Sequence, residues 1–325
     1  MSEINLFGEK YEIIDAIEYI TLADSFVKNK LGVGHGEAKL YVGNESDYLI
    51  SFFGNFENVN CFFVKKDFES FLTDAVQEFE FPQQEYNRKS EMNEIYKKLQ
   101  IRIEKYDSEI LKFKLNRVDV APPRVYVNSC SDYYDYMRSV GLPNISYLSV
   151  LKLKDKKKII NYYFKIFIDY RSDIIGYKTQ EEKTQSQKIE EKNITKHKKE
   201  TLIQSRIGQG EYRNRLLEEC HYCPFTMVND ERLLIASHIK PWVKSNDKEK
   251  IDSKNGFIFT PTFDKLFDKG FITFNPNKSM DVSPWLSPMN QKRLGIYSGK
   301  IIKDLPMDND RKVYLQYHRE YVFKR

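Results

Sequence analysis

Apolar positions along the chain repeat with two different periods. Phe68, Phe71, Leu72, Ala75, Val76 and Phe79 recur at helical spacing, as do Met92, Ile95, Tyr96, Leu99, Ile103, Tyr106 and Ile110, which predicts two helices, the second the longer. After Pro122 and Pro123, RVYVNS (124–129), YLSVLKLK (147–154) and IINYYFKIFIDYR (159–171) have strand composition, with Leu151 and Leu153 alternating with Lys152 and Lys154. DYLISFF (47–53) and NCFFVK (60–65), on either side of a Gly/Asn-containing turn, predict a strand pair. A mixed α+β body is therefore expected over residues 1–177. The pattern then stops. From 178 to 204 the chain is charged and amide-rich, almost without apolar residues, Gly or Pro, which predicts a charged helical or flexible connector. Residues 205–325 are expected to form a second domain.

That second part has its own order of elements. A helix over RIGQGEYRNRLLEE is followed by the apolar strand LLIASHIKPW (233–242), interrupted by a histidine and ended by Pro241. A polar loop leads to Asn255-Gly256, a strong turn dipeptide, and FIFT (257–260) makes the next strand. Thr260 suits a helix cap, Pro261 the first turn and Gly270 the stop, so the unit reads β, loop, β, α. On that helix Phe263, Leu266 and Phe267 form an apolar face, while Asp264 and Asp268 share another edge.

Composition narrows the class. With 325 residues, 41% hydrophobic and 30% charged, the chain is globular and long enough for two cores. No apolar run reaches the length of a membrane span and no basic-plus-apolar leader opens the sequence, so a cytoplasmic protein without a membrane partner is expected. Four scattered cysteines fit a reducing compartment. Cys220 and Cys223 form a CxxC with no second pair at tetrahedral spacing, so structural zinc is not expected. The net charge of +5 comes from the C-terminal part, where 21 Lys plus Arg face 15 Asp plus Glu from Ser205 onward, against 31 and 32 before it. GVGHGEAK (32–39) lacks the GxxxxGK pattern and predicts a turn, with His35 a loop histidine. His318, in an aromatic tail, is expected to pack.

A histidine on one strand facing an aspartate on the helix across the hairpin is what metal-assisted phosphodiester hydrolysis requires: an imidazole to deprotonate water and a cation to stabilise charge on the phosphate and leaving oxygen. In order along the chain, GQGEYR (208–213), SHIKPW (237–242), NGFIFTPTFDKLFDKG (255–270) and FITF (271–274) resemble the HNH nucleases of the ββα-metal fold, in the restriction-type branch with an AHIKPW-like first strand. The resemblance covers about the last 120 residues. It implies His238 as general base and Asn255 as the asparagine that fixes the hairpin loop. It also implies Asp264, nine residues after Asn255, as the metal-binding position, with Asp268 one turn along as a further ligand. Ser237 departs from the pattern, since many members carry an acidic or histidine ligand there. Oxygen donors favour Mg2+, with Mn2+ as substitute.

Arg213, Arg215, Lys240, Lys254 and Lys265 surround the hairpin and are candidate phosphate contacts. The aromatic-basic stretches 132–138 and 161–171 are expected in the core rather than stacked on bases. The resulting expectation is a restriction-type endonuclease that cuts double-stranded DNA to 5′-phosphate and 3′-hydroxyl ends. Residues 1–177 would select the target, and a homodimer would make a double-strand cut. Three other readings stay open: a modification-dependent nuclease, a ligand-activated defence nuclease, and a non-catalytic DNA-binding protein that has lost its metal at Ser237.

Overall fold

The computed structural model describes residues 3–33, 36–54, 56–168 and 212–325, which form two compact units. The expected connector 178–204 and His35 lie outside the described residues.

The N-terminal unit is built on one eight-stranded sheet. Its strands are β1 (Glu3–Leu6), β2 (Glu9–Thr21), β3 (Leu40–Asn44), β4 (Val59–Val64), β5 (Ile110–Val118), β6 (Arg124–Asn128), β7 (Ser146–Lys154) and β8 (Ile160–Ile168), in the order β1-β2-β7-β8-β4-β5-β6-β3. Neighbours are antiparallel except β4 and β8. One sheet face is covered by α1 (Asp47–Phe53), α2 (Lys65–Glu80), α3 (Met92–Glu104) and α4 (Asp132–Val140), whose apolar faces join Leu148, Val150, Phe63, Phe113 and Val127 in the core. The strands expected over 124–129, 147–154 and 159–171 form as β6, β7 and β8, residues 169–171 lying outside the described residues, and the helices expected at 68–79 and from Met92 form as α2 and α3.

Two expectations for this unit are corrected. Residues 47–53 are a helix, not a strand. Ser46 caps it by accepting a hydrogen bond from the Leu49 amide at 3.3 Å, Leu49, Phe52 and Phe53 bury one side, and Gly54 at φ 69° ends it. The helix from Met92 stops at Glu104 instead of running to Ile110. The Ser108 hydroxyl turns the chain through Ile110, which opens β5 opposite Val64. Residues 132–138 are also helical, capped by Ser131, and their aromatics are core: Tyr134 and Tyr136 donate to the Val127 and Leu99 carbonyls at 3.1 and 2.9 Å.

In the C-terminal unit a helix over 212–219, α5, precedes a hairpin of β9 (Ile235–His238) and β10 (Gly256–Phe259). The polar loop between the strands contains a short helix, α6 (Asp247–Ile251), and α7 (Pro261–Asp268) packs on both strands. A second hairpin, β11 (Ile272–Phe274) and β12 (Met280–Val282), and the helix α8 (Asn309–Tyr317) complete the unit. Phe257, Phe259, Phe267 and Phe274 form a fully buried aromatic cluster beneath the hairpin. Gly270 stops α7 at φ +70°, where a side chain would collide with the Val322 carbonyl.

A buried cation locks α8 to this hairpin. Arg311 is 1% exposed, donates to the Glu219 carboxylate at 2.6 Å and to the Gly256 and Ser253 carbonyls at 3.2 Å each, and pairs with Asp308. Burial alone would raise the Glu219 carboxyl, but hydrogen bonds from Ser253, Lys254 and Arg311 overturn that and hold it at about 2. Its folded pKa is depressed, so the stabilisation is present above the ordinary 4.5 and is lost as pH falls toward 2. Glu219→Gln is expected to lower stability at pH 7 by about 2 kcal/mol and to flatten the acid limb between those two values, read from urea denaturation at a series of pH values.

Candidate active site

β9 and β10 pair with His238 opposite Gly256 and Ser237 opposite Phe257. His238 is the last residue of its strand, and its ring is held on three sides. One face stacks on Tyr212 of α5, with centroids 4.0 Å apart and planes 15° from parallel. Trp242 meets it edge-on at 5.4 Å. Nε2 lies 3.0 Å from the Lys250 carbonyl oxygen. A carbonyl can only accept, so Nε2 carries the hydrogen and the neutral ring keeps its lone pair on Nδ1. Burial pushes the imidazole pKa below its ordinary 6.5, while the bond to Lys250 works the other way. At neutral pH the ring is uncharged.

Asn255 builds the seat for that carbonyl. It is fully buried and uses both ends of its amide: Oδ1 accepts from the Lys240 amide at 2.8 Å, and Nδ2 donates to the Glu249 carbonyl at 3.0 Å and to Lys240 O and Ser245 Oγ at 3.3 Å each. The expected polar loop is thus folded back on the strand. Its short helix, α6, closes with a capping box between Asn246 and Glu249. Lys250 sits near the C-terminal end of α6, where helix carbonyls lack intrahelical partners and are available to a ring N–H.

Asn255-Gly256 does not make the expected turn. A 3₁₀ turn over Ser253–Asn255 leads straight into β10, and Gly256 is extended. Glycine is required there for a different reason. An added Cβ would lie 1.9 Å from the Tyr212 hydroxyl, which donates to the Asn255 carbonyl at 3.1 Å, with the Ser237 carbonyl at 3.3 Å. The missing side chain is what lets Tyr212 slide under the hairpin and stack on His238.

Asp264 is in the first turn of α7, half-buried against β9. Burial raises its carboxyl pKa to about 6; a hydrogen bond from Ser237 and the charge of Lys265 oppose this, and Asp268 adds to it. Thr260 stands at the expected cap position, but its hydroxyl makes no capping bond and lies 3.7 Å from Cys223 Sγ. Asp268 and Lys265 are exposed on the same helix. Among the described residues no group of three His, Cys, Asp or Glu converges as a metal cage. A hard divalent ion is nevertheless chemically matched by a half-buried carboxylate beside a hydroxyl, the remaining positions falling to water and phosphate oxygens.

The five cations expected around the hairpin divide. Arg213 donates to the Leu234 and Glu231 carbonyls at 2.8 and 2.6 Å, Lys240 pairs with Glu249 at 2.7 Å, and Lys254 pairs with Glu219 at 2.9 Å. These three brace the unit itself. Arg215 and Lys265 are exposed. Cys220 and Cys223 are buried free thiols, and His318 packs flat on Phe267 at 3.9 Å, its pKa pressed down to about 3 by burial. Residues 223–275 match the family model of HNH endonucleases. The matched segment spans β9, the loop, β10, α7 and β11, and contains His238, Asn255, Asp264 and Asp268. No curated protein matches the chain. The C-terminal region therefore carries an HNH nuclease domain, of a class that acts on DNA with a divalent metal. No helix among the described residues is long and apolar enough to cross a membrane.

Sequence reasoning missed Tyr212, Lys250 and Arg311. Tyr212 was legible only as part of GQGEYR, Lys250 acts through its backbone, and a buried arginine has no periodic signature. The raised Asp264 pKa carries a sign that can be measured. A folded pKa above the ordinary 3.8 means that protonated Asp264 is the favoured form, so stability present below 3.8 is lost as pH rises through about 6. Asp264→Asn is expected to stabilise the metal-free protein at pH 7 by about 1–2 kcal/mol in thermal denaturation with chelator, while abolishing the heat of Mg2+ titration.

Proposed function

We propose that the chain is a restriction-type DNA endonuclease in which His238 is the general base. The observation that carries this reading is the bond from His238 Nε2–H to the Lys250 carbonyl, in a ring that burial keeps neutral. Nδ1 then takes the proton from a water molecule that attacks phosphorus in line with the 3′ oxygen. The P–O3′ bond breaks, leaving 5′-phosphate and 3′-hydroxyl ends. Asn255 acts through the loop as a positioning residue, and Tyr212 and Trp242 fix the plane of the ring. Asp264, with the Ser237 hydroxyl and Asp268 beside it, would hold Mg2+ or Mn2+, which supplies charge stabilisation at the scissile phosphate and leaving oxygen. Arg215 and Lys265, both exposed, are proposed to contact flanking phosphates. The N-terminal unit selects the target, and a homodimer would bring two such sites to a double-strand cut.

His238→Ala is expected to reduce plasmid nicking with Mg2+ at least 1,000-fold, on the order of what loss of a general base costs, and to leave duplex affinity within about threefold. Wild-type cleavage by that variant sinks the assignment. The acid limb of the rate profile is expected below pH 6.5, because a protonated imidazole cannot accept the proton. Tyr212→Phe keeps the stack and is expected to stay within a few-fold of wild type. Tyr212→Leu removes it, exposing the ring, and is expected to lower the rate about tenfold or more and raise the His238 pKa seen by NMR titration.

A further inference from the structure

The N-terminal sheet divides its charge between its two ends. β1 and β2 carry Glu3, Glu9, Glu12, Asp15 and Glu18 against Lys10 alone. At the other end β4, β5, β6 and β3 contain no aspartate or glutamate, and they carry Lys112, Lys114, Arg117 and Arg124. Strand alternation commits Leu111, Phe113, Leu115, Val125 and Val127 to the core, which turns Lys112, Lys114 and Asn116 of β5, and Arg124, Tyr126 and Asn128 of β6, to the opposite face.

Register orders these side chains. Asn116 pairs with Asn128 across the two strands, and both are exposed. Lys112 precedes Asn116 by four residues and Arg124 precedes Asn128 by four. Because the strands are antiparallel, the two cations lie on opposite sides of the amide pair, each roughly 14 Å away along the ribbon. Beside Arg124, Tyr126 is flanked by the Tyr41 ring at 5.4 Å and by Lys39 Nζ at 5.2 Å from its centroid. Acidic residues border the face: Glu45, paired with Arg117 at 3.3 Å, Glu37, paired with Lys39 at 2.9 Å, and the exposed Glu57, Glu109 and Asp119 at the ends of β4 and β5. The side chains of Lys112 and Arg124 have no ion-pair or hydrogen-bond partner among the described residues.

We propose that the outer face of β5 and β6, extended by β3 and β4, is the surface on which the N-terminal unit binds double-stranded DNA, with Lys112 and Arg124 on phosphates and Asn116 and Asn128 toward base edges. The inference deepens the reading of the chain as a DNA-cutting enzyme and rests on it. These strands carry cations and no acid, which complements a phosphate backbone, and an asparagine amide offers a donor and an acceptor matching adenine's edge. An acidic protein would find the cations but leave the central amides without a purpose.

The test uses full-length chain carrying His238→Ala, with Mg2+ and a labelled random-sequence duplex followed by anisotropy through a salt series. Lys112→Gln combined with Arg124→Gln is expected to weaken binding at least tenfold at low salt and to lower the slope of log Kd against log salt by about two, one per phosphate contact. Lys10→Gln, on the acidic strands, is expected to change neither. With His238 intact, Asn116→Ala combined with Asn128→Ala is expected to alter the sequence found at cut ends while leaving that slope unchanged. Wild-type affinity and slope in the cation variant overturn the proposal, as does binding to phosphatidylglycerol vesicles that the cation variant loses while duplex binding persists. A chain that never cuts DNA, yet whose duplex binding needs Lys112 and Arg124, overturns the nuclease reading and keeps this face. Unchanged cutting and binding in both variants overturn the face and keep the nuclease.

Discussion

The bond between His238 Nε2–H and the Lys250 carbonyl is the constraint on which the chemistry proposed for the C-terminal unit turns. An imidazole can be donor or acceptor at either nitrogen, and a ring free to choose would present its lone pair in the required direction only part of the time. A carbonyl removes that choice, because it accepts and never donates. For the carbonyl to be there, the loop between the two strands must fold back. The capping box of α6 and the four hydrogen bonds of Asn255 perform that folding. A backbone atom twelve residues away thereby sets the tautomer of a side chain.

The same part of the molecule contains two opposite electrostatic situations. Around Arg311 and Glu219, opposite charges and hydrogen bonds satisfy one another, and the carboxyl is driven down to about 2. Around Asp264, burial outweighs the help of Ser237 and Lys265, and the carboxyl is driven up to about 6. The first arrangement stabilises the fold. The second works against it, a cost that the proposed divalent ion would offset.

How much of this was legible in the sequence depends on the length of the signal. α2 was readable because six apolar residues kept helical spacing over twelve positions. DYLISFF is seven residues long and its apolar positions suit either period, so only the Ser46 cap and Gly54 stop decided it. The strand from Ile110 was hidden because a helical repeat ran into it by chance, and the break depended on one serine hydroxyl. His238, Asn255 and Asp264 were singled out through ordered motifs in a short segment. The partners that tune them were not, since Lys250 contributes a carbonyl and Tyr212 a ring face, neither of which leaves a spacing pattern.

The void left at Gly256 ties its history to that of Tyr212. While the phenol occupies the space under β10, even a methyl group at 256 is excluded, and a side chain at 256 becomes possible only after residue 212 shrinks. Position 256 can change only after position 212 has, and Leu216, 2.9 Å from the added Cβ, narrows the choice further. A helix preceding the hairpin cannot be exchanged for one from another protein unless the strand residue it meets travels with it.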